Sequence, residues 1–129
     1  MAYRIFWRVP QQTLWMELEG DLTLNDFKQI NCAVVEHLGA DEGNRQVALV
    51  VDITRTGKIP QAFAELRMSQ TYGQRRDLKF IIVAGTNKFM RLMILLTFNL
   101  CRPSLRFFDT MDQALAFSQR VVGTKTVSK

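Results

Sequence analysis

The chain has 129 residues, a length that predicts one domain. Its 47% hydrophobic and 22% charged residues exclude a disordered tail, a low-complexity polymer and a collagen-like repeat. The net charge of +5 is unevenly spread: residues 1–54 hold eight acids and four bases (−4), and residues 55–129 hold four acids and thirteen bases (+9).

Taken in chain order, Tyr3–Val9 alternates apolar residues (Tyr3, Ile5, Trp7, Val9) with Arg4 and Arg8, the period of a half-buried strand. Pro10-Gln11-Gln12 is a turn, and Thr13–Leu18 alternates again, which predicts an antiparallel hairpin. Thr23 with Asp26 forms a variant capping box ahead of Leu24, Phe27, Ile30, Val34 and Leu38 at helical spacing, and Gly39 suits the stop. Val47–Ile53 is a β-branched run of the kind buried on both faces. Pro60 fits a first helical turn, with Phe63 and Leu66 behind it and Gly73 past the end. Phe80–Ala84 reads as a second buried strand. Thr86 or Asn87 then caps a helix to about Arg102, which Pro103 ends. Leu105–Phe108 is a short strand, and Thr110-Met111-Asp112-Gln113 is a full capping box opening a helix to about Val122, closed by Gly123.

The order β β α β α β α β α predicts an α/β domain over residues 1–123, with 124–129 as a frayed tail. Its sheet has five strands, mixed but mostly parallel, with four helices and an antiparallel N-terminal hairpin.

The chemistry is sparse. The single histidine, His37, lies near a helix end with no nucleophile beside it. No cysteine or histidine pair stands at metal-ligand spacing, and Asp21 with Asp26 is a poor cation site. No phosphate loop is present. These absences predict a chain that is not an enzyme and uses no metal or cofactor. Tyr72, Arg75, Arg76 and Lys79 are the one basic-aromatic cluster, and nucleic acid is not the expected partner. Cys32 and Cys101, in apolar helix-like stretches, are expected to be free core thiols in a reducing compartment. The first residues carry no signal-peptide core, and the longest apolar run, Phe89–Cys101, is too short for a transmembrane segment, so a cytoplasmic location is expected.

Two surfaces are candidates for binding. Arg55, Lys58, Asn87, Lys88 and Arg91 are expected at the carboxyl ends of the strands, beside a helix N-terminus, where a small anion can be held. The helix 88–102 is apolar over roughly 240° at about 100° per residue, twice what packing on a sheet requires. Met90, Met93, Ile94, Leu96 and Phe98 are therefore candidates for a partner or apolar-ligand face: neighbouring helices, a homodimer contact, a lipid or a membrane surface.

Three segments resemble the STAS-like domain of the anti-sigma-factor antagonists, in its SpoIIAA-like branch. They are Tyr3-Arg4-Ile5…Trp7 with Leu18-Glu19-Gly20-Asp21-Leu22-Thr23, then Leu49-Val50-Val51-Asp52, and the most family-like, Arg106-Phe107-Phe108-Asp109-Thr110-Met111-Asp112-Gln113-Ala114-Leu115-Ala116-Phe117. The resemblance covers residues 3 to about 122. It implies the STAS-like topology and a bacterial regulatory module working by protein–protein contact. Phosphorylatable members carry Asp-Ser-(Ser/Thr)-Gly at the start of the helix after this strand. Here that position falls near Gln61, which has no hydroxyl, and Thr54 and Thr56-Gly57 lie nearer the strand. The resemblance therefore implies the module without its phosphorylation switch. The rival reading is a lipid- or anion-binding carrier, or a membrane-surface module, using the basic rim and the apolar helix.

Overall fold

Alternation of large apolar and polar side chains builds the first two strands, β1 (Tyr3–Val9) and β2 (Thr13–Gly20). They pair antiparallel, Ile5 opposite Met16, around a turn in which Gln11 takes a φ of 63°. The computed structural model describes residues 3–40, 43 and 45–127. Three further strands, β3 (Val47–Thr56), β4 (Leu78–Ala84) and β5 (Ser104–Phe108), join in parallel, giving the order β1-β2-β3-β4-β5. The helices between them are α1 (Leu24–Leu38), α2 (Phe63–Ser69) and α3 (Lys88–Phe98), and α4 (Met111–Val127) closes the chain.

The two faces of the sheet bury unequal cores. Leu14, Met16, Leu49, Val51, Ile81 and Val83 point to the side covered by α1, α2 and α3. Trp15, Ala48, Val50, Ile82 and Ala84 point to α4, which contributes Ala114 and the half-buried Met111, Leu115 and Phe117. The central strands β3 and β4 are thus covered on both faces, which is why their sequences run apolar without alternation.

The capping signals act as read, with one change. At α1, Thr23 Oγ1 accepts from the Asp26 N–H (3.1 Å) and Asp26 Oδ2 accepts from the Thr23 N–H (2.9 Å). At α4, Thr110 Oγ1 accepts from the Gln113 N–H at 3.3 Å, but Gln113 Oε1 reaches one residue further back, to the Asp109 N–H at 3.2 Å.

Several boundaries differ from the sequence reading. β3 runs on through Arg55 and Thr56, because a register shift in β2 lets Glu19 and Gly20 pair with them. α2 starts at Phe63, after Pro60, with no side-chain cap. Gly73 lies inside a short 3₁₀ turn, Tyr72–Gln74, and not just beyond a helix end. It is needed there for close packing, since a Cβ at that point would stand 2.6 Å from Cys101 Sγ. α3 stops at Phe98, four residues before Arg102, because the Cys101 N–H turns back to the Phe98 carbonyl (3.0 Å) and the Arg102 N–H goes to Gly73 O (3.0 Å). α4 continues past Gly123 to Val127, where a stop and a frayed tail were expected; an interior glycine costs about 1 kcal/mol but does not by itself end a helix. Residues 128–129 of that expected tail lie outside the described residues.

Candidate functional site

Of the five residues expected to form an anion-binding rim, Asn87 and Arg91 are engaged within the fold and Arg55 stands among carboxylates. Asn87 is used twice: its Oδ1 accepts from the Met90 N–H (3.1 Å), capping α3, and its Nδ2 donates to Thr56 Oγ1 (3.1 Å). Arg91 is committed to the fold. Its Nε donates to Gly85 O (2.6 Å), and one terminal nitrogen donates to Phe108 O (2.8 Å) and Asp109 Oδ1 (2.9 Å). The guanidinium thus ties the start of α3 to the end of β5. Arg55 lies on β3 and not in the following loop, opposite Glu19. There it lines a shallow groove of about 530 Å³ with Arg4, Glu17, Glu19 and Asp52, so its surroundings are rich in carboxylates. Lys58 and Lys88 are exposed, but the Lys58 backbone is fixed by its N–H to Asp21 Oδ1 (2.7 Å).

The apolar helix resolves into two faces. Met90, Met93, Ile94 and Phe98 are buried in the larger core, so four of the five residues proposed for a partner face pack inside the domain. They line a cavity of about 50 Å³ between α3 and the sheet, walled also by Met16 and Ile81. Leu96 alone of the five faces outward, 40% exposed. Beside it stand Leu92 (44%), Leu95 (44%) and, just past the helix, Leu100 (75%). Of these four leucines, the sequence reading placed only Leu96 on a candidate face. The signal was the period itself: Leu92, Leu95 and Leu96 recur at three and four, like a buried face, although the opposite face is already the buried one.

Other candidates take structural roles. Tyr72 is 3% exposed; its hydroxyl donates to Gln70 Oε1 (2.9 Å), and burial, helped by nearby Cys101, pushes its ionisation far above the usual range. Arg75 forms a two-pronged pair with Asp77 (2.9 Å for each contact) and also donates to Gly39 O (2.7 Å), so of the basic-aromatic cluster only Arg76 and Lys79 are exposed. Asp77, 1% exposed, also receives Arg45 Nε at 2.9 Å. Burial alone raises its carboxyl, but the hydrogen bonds and charges of Arg75 and Arg45 outweigh that and hold it below the usual range. His37 Nδ1 lies 2.7 Å from Ala33 O on its own helix. Asp26 caps α1, and Asp21 holds the Lys58 N–H. Cys101 is half-buried, with burial raising its thiol pKa, whereas Cys32 is exposed on the outer side of α1 and so is not a core thiol. Among the described residues no group of three or more His, Cys, Asp or Glu could hold a metal ion. No helix there is long and apolar enough to cross a membrane.

The family model that describes SpoIIAA-like proteins matches residues 13–119, from the start of β2 to within α4. The chain belongs to the SpoIIAA-like family. Solved structures agree at the level of the fold. This SpoIIAA-like chain superposes with a TM-score of 0.65 on an uncharacterized protein of the DUF3478 family with a SpoIIAA-like fold from Shewanella loihica PV-4. The two are 18% identical, over 90% of this chain and 93% of that one. It superposes with a TM-score of 0.56 on the anti-sigma factor antagonist SpoIIAA in its unphosphorylated form, at 16% identity over 92% of this chain and 98% of that one. No curated protein matches the chain significantly.

Around the position that carries the phosphoacceptor in the family resemblance, the exposed Gln61 stands ahead of α2. The nearest hydroxyls are engaged. Thr54 Oγ1 donates to Asp52 Oδ1 (2.6 Å), while Thr56 Oγ1 donates to Ile53 O (2.8 Å) and accepts from Asn87.

Proposed function

We propose that this SpoIIAA-like chain is a non-enzymatic regulatory module of a bacterial cytoplasm, acting by protein–protein contact and without a phosphorylation switch. The observation that carries this reading is the outer face of α3. Leu92, Leu95 and Leu96 are each 40–44% exposed on one side of an element whose other side already packs on the sheet, and Leu100, just past the helix, is 75% exposed. Scattered exposed leucines need no explanation, but a contiguous apolar patch on a soluble domain marks an interaction surface.

The carrier reading has less support. The cavity under α3, at about 50 Å³, has room for a few water molecules and not for an acyl chain. An anion would have to compete for Arg91 with Asp109 and two backbone carbonyls.

Photo-crosslinking in cells tests the contact. A photoreactive residue at Leu95 is expected to give protein adducts that the same residue at Val35, exposed on α1, does not. Equal adducts at both positions, or none at Leu95, would contradict the reading. Intact-mass spectra of the chain from cells test the second half: no stoichiometric phosphate is expected on Thr54 or Thr56, and a major singly phosphorylated species at either would contradict it.

A further inference from the structure

Resting on that reading of the α3 face, we propose that its occupant is a second copy of this chain, with the two α3 helices packed antiparallel about a point near residue 94.

Charge as well as apolar surface suits a second copy. At about 100° per residue, Lys88 falls inside the outward arc near its Leu95 edge, with Leu92 and Leu96 on its other side. It is the one charged residue of that arc, and it stands in the first helical turn. A helix N-terminus carries partial positive charge and favours an acid, and the C-terminus favours a base. α3 has no acid in its first turn and no base in its last. Lys88 is therefore at the unfavourable end of its own helix and at the favourable end of an antiparallel copy. With the two-fold axis near residue 94, Lys88 meets the carbonyl end of the other α3, beside Leu100, and Leu92 meets Leu96. A self-complementary patch of this kind is what a two-fold contact requires. A parallel pairing would instead set Lys88 against Lys88.

One short helix per copy offers less than the roughly 800 Å² a side of a standard stable interface. The dimer is accordingly expected to be reversible, its fraction rising with concentration.

Sedimentation velocity of the full chain across a micromolar concentration series should show that rise. Lys88→Glu should leave the melting temperature unchanged or higher, because an acid suits the start of α3, while weakening the dimer several-fold. With the exposed Cys32 replaced by Ser, mixing Leu92→Cys and Leu96→Cys chains under mild oxidation should give a mixed disulfide dimer faster than Leu92→Cys chains alone. A wild type monomeric throughout, a Lys88→Glu dimer as tight as wild type, or Leu92→Cys chains crosslinking as fast as the mixture would each overturn the proposal. So would a chain that stays monomeric in solution and binds only anionic phospholipid vesicles. A monomer that still gives hetero-protein adducts at Leu95 in cells would sink self-pairing alone. A monomer without such adducts would sink the contact reading as well.

Discussion

Asp77 joins three elements through one carboxylate. Its oxygens receive Arg75 and Arg45, and those guanidiniums also reach the Gly39 and Leu38 carbonyls at the end of α1. Removing the charge from such a buried group leaves two cations without their counter-ion. Asp77→Asn is therefore expected to cost about 3–5 kcal/mol in chemical denaturation; a loss below about 1 kcal/mol would show that the arginines pair elsewhere. The sign of the pH effect follows from the depressed carboxyl. Asp77 holds its proton less tightly folded than unfolded, so its contribution is fully present above the unfolded value of about 3.9 and is lost as pH falls through the lower folded value. Wild-type stability should fall across that acid window more steeply than that of Asp77→Asn. This cluster was illegible in the sequence because Arg45 is 32 residues from Asp77 and only the fold brings them together. The neighbouring Arg75-Arg76-Asp77 run was visible but reads equally well as surface.

At the scale of elements, α3 separates what periodicity resolves from what it does not. Its helical character and a cap at Thr86 or Asn87 were legible, because both are local, and the structure uses Asn87. Which side packs was not, because an arc apolar over most of its circumference fits the sheet in more than one rotation. The structure chooses Met90 and Met93 for the core and Leu92, Leu95 and Leu96 for the outside. A carboxylate then separates the faces. Met90→Glu buries an uncompensated charge and should abolish cooperative unfolding or lower stability by several kcal/mol. Leu96→Glu should change stability by less than about 1 kcal/mol, as exposed substitutions do. Circular dichroism melts of the two variants decide it, and equal destabilisation by both would mean that the outer face is covered within the domain. The end of α3 was misread for the opposite reason: Pro103 is a visible stop, but the chain turns earlier to deliver the Arg102 N–H to Gly73, a long-range bond.

For the whole molecule, the alternating hairpin and the two uninterrupted apolar strands were enough to place five strands and four helices in the right topology, since alternation and its absence report how many faces are covered. The candidate rim meets its competition at this same scale. Position in a loop at the strand ends predicted company for Arg55, Lys58, Lys88 and Arg91, but the continuation of β3 draws Arg55 towards Glu17 and Asp52, and the Phe108 carbonyl claims Arg91. Basic residues near a sheet end become a site only if the fold leaves their donors unspent, which spacing does not report. The outer face of α3 passes that criterion in apolar form, and the contact reading of the whole chain depends on it. Native mass spectrometry of the chain isolated from cells, as wild type and as Leu92→Glu/Leu95→Glu at matched expression, tests it most directly. Wild type is expected in a protein assembly and the folded double variant at the 14.9 kDa of the single chain; the same assembly for both, or a bare monomer for wild type, would contradict the contact.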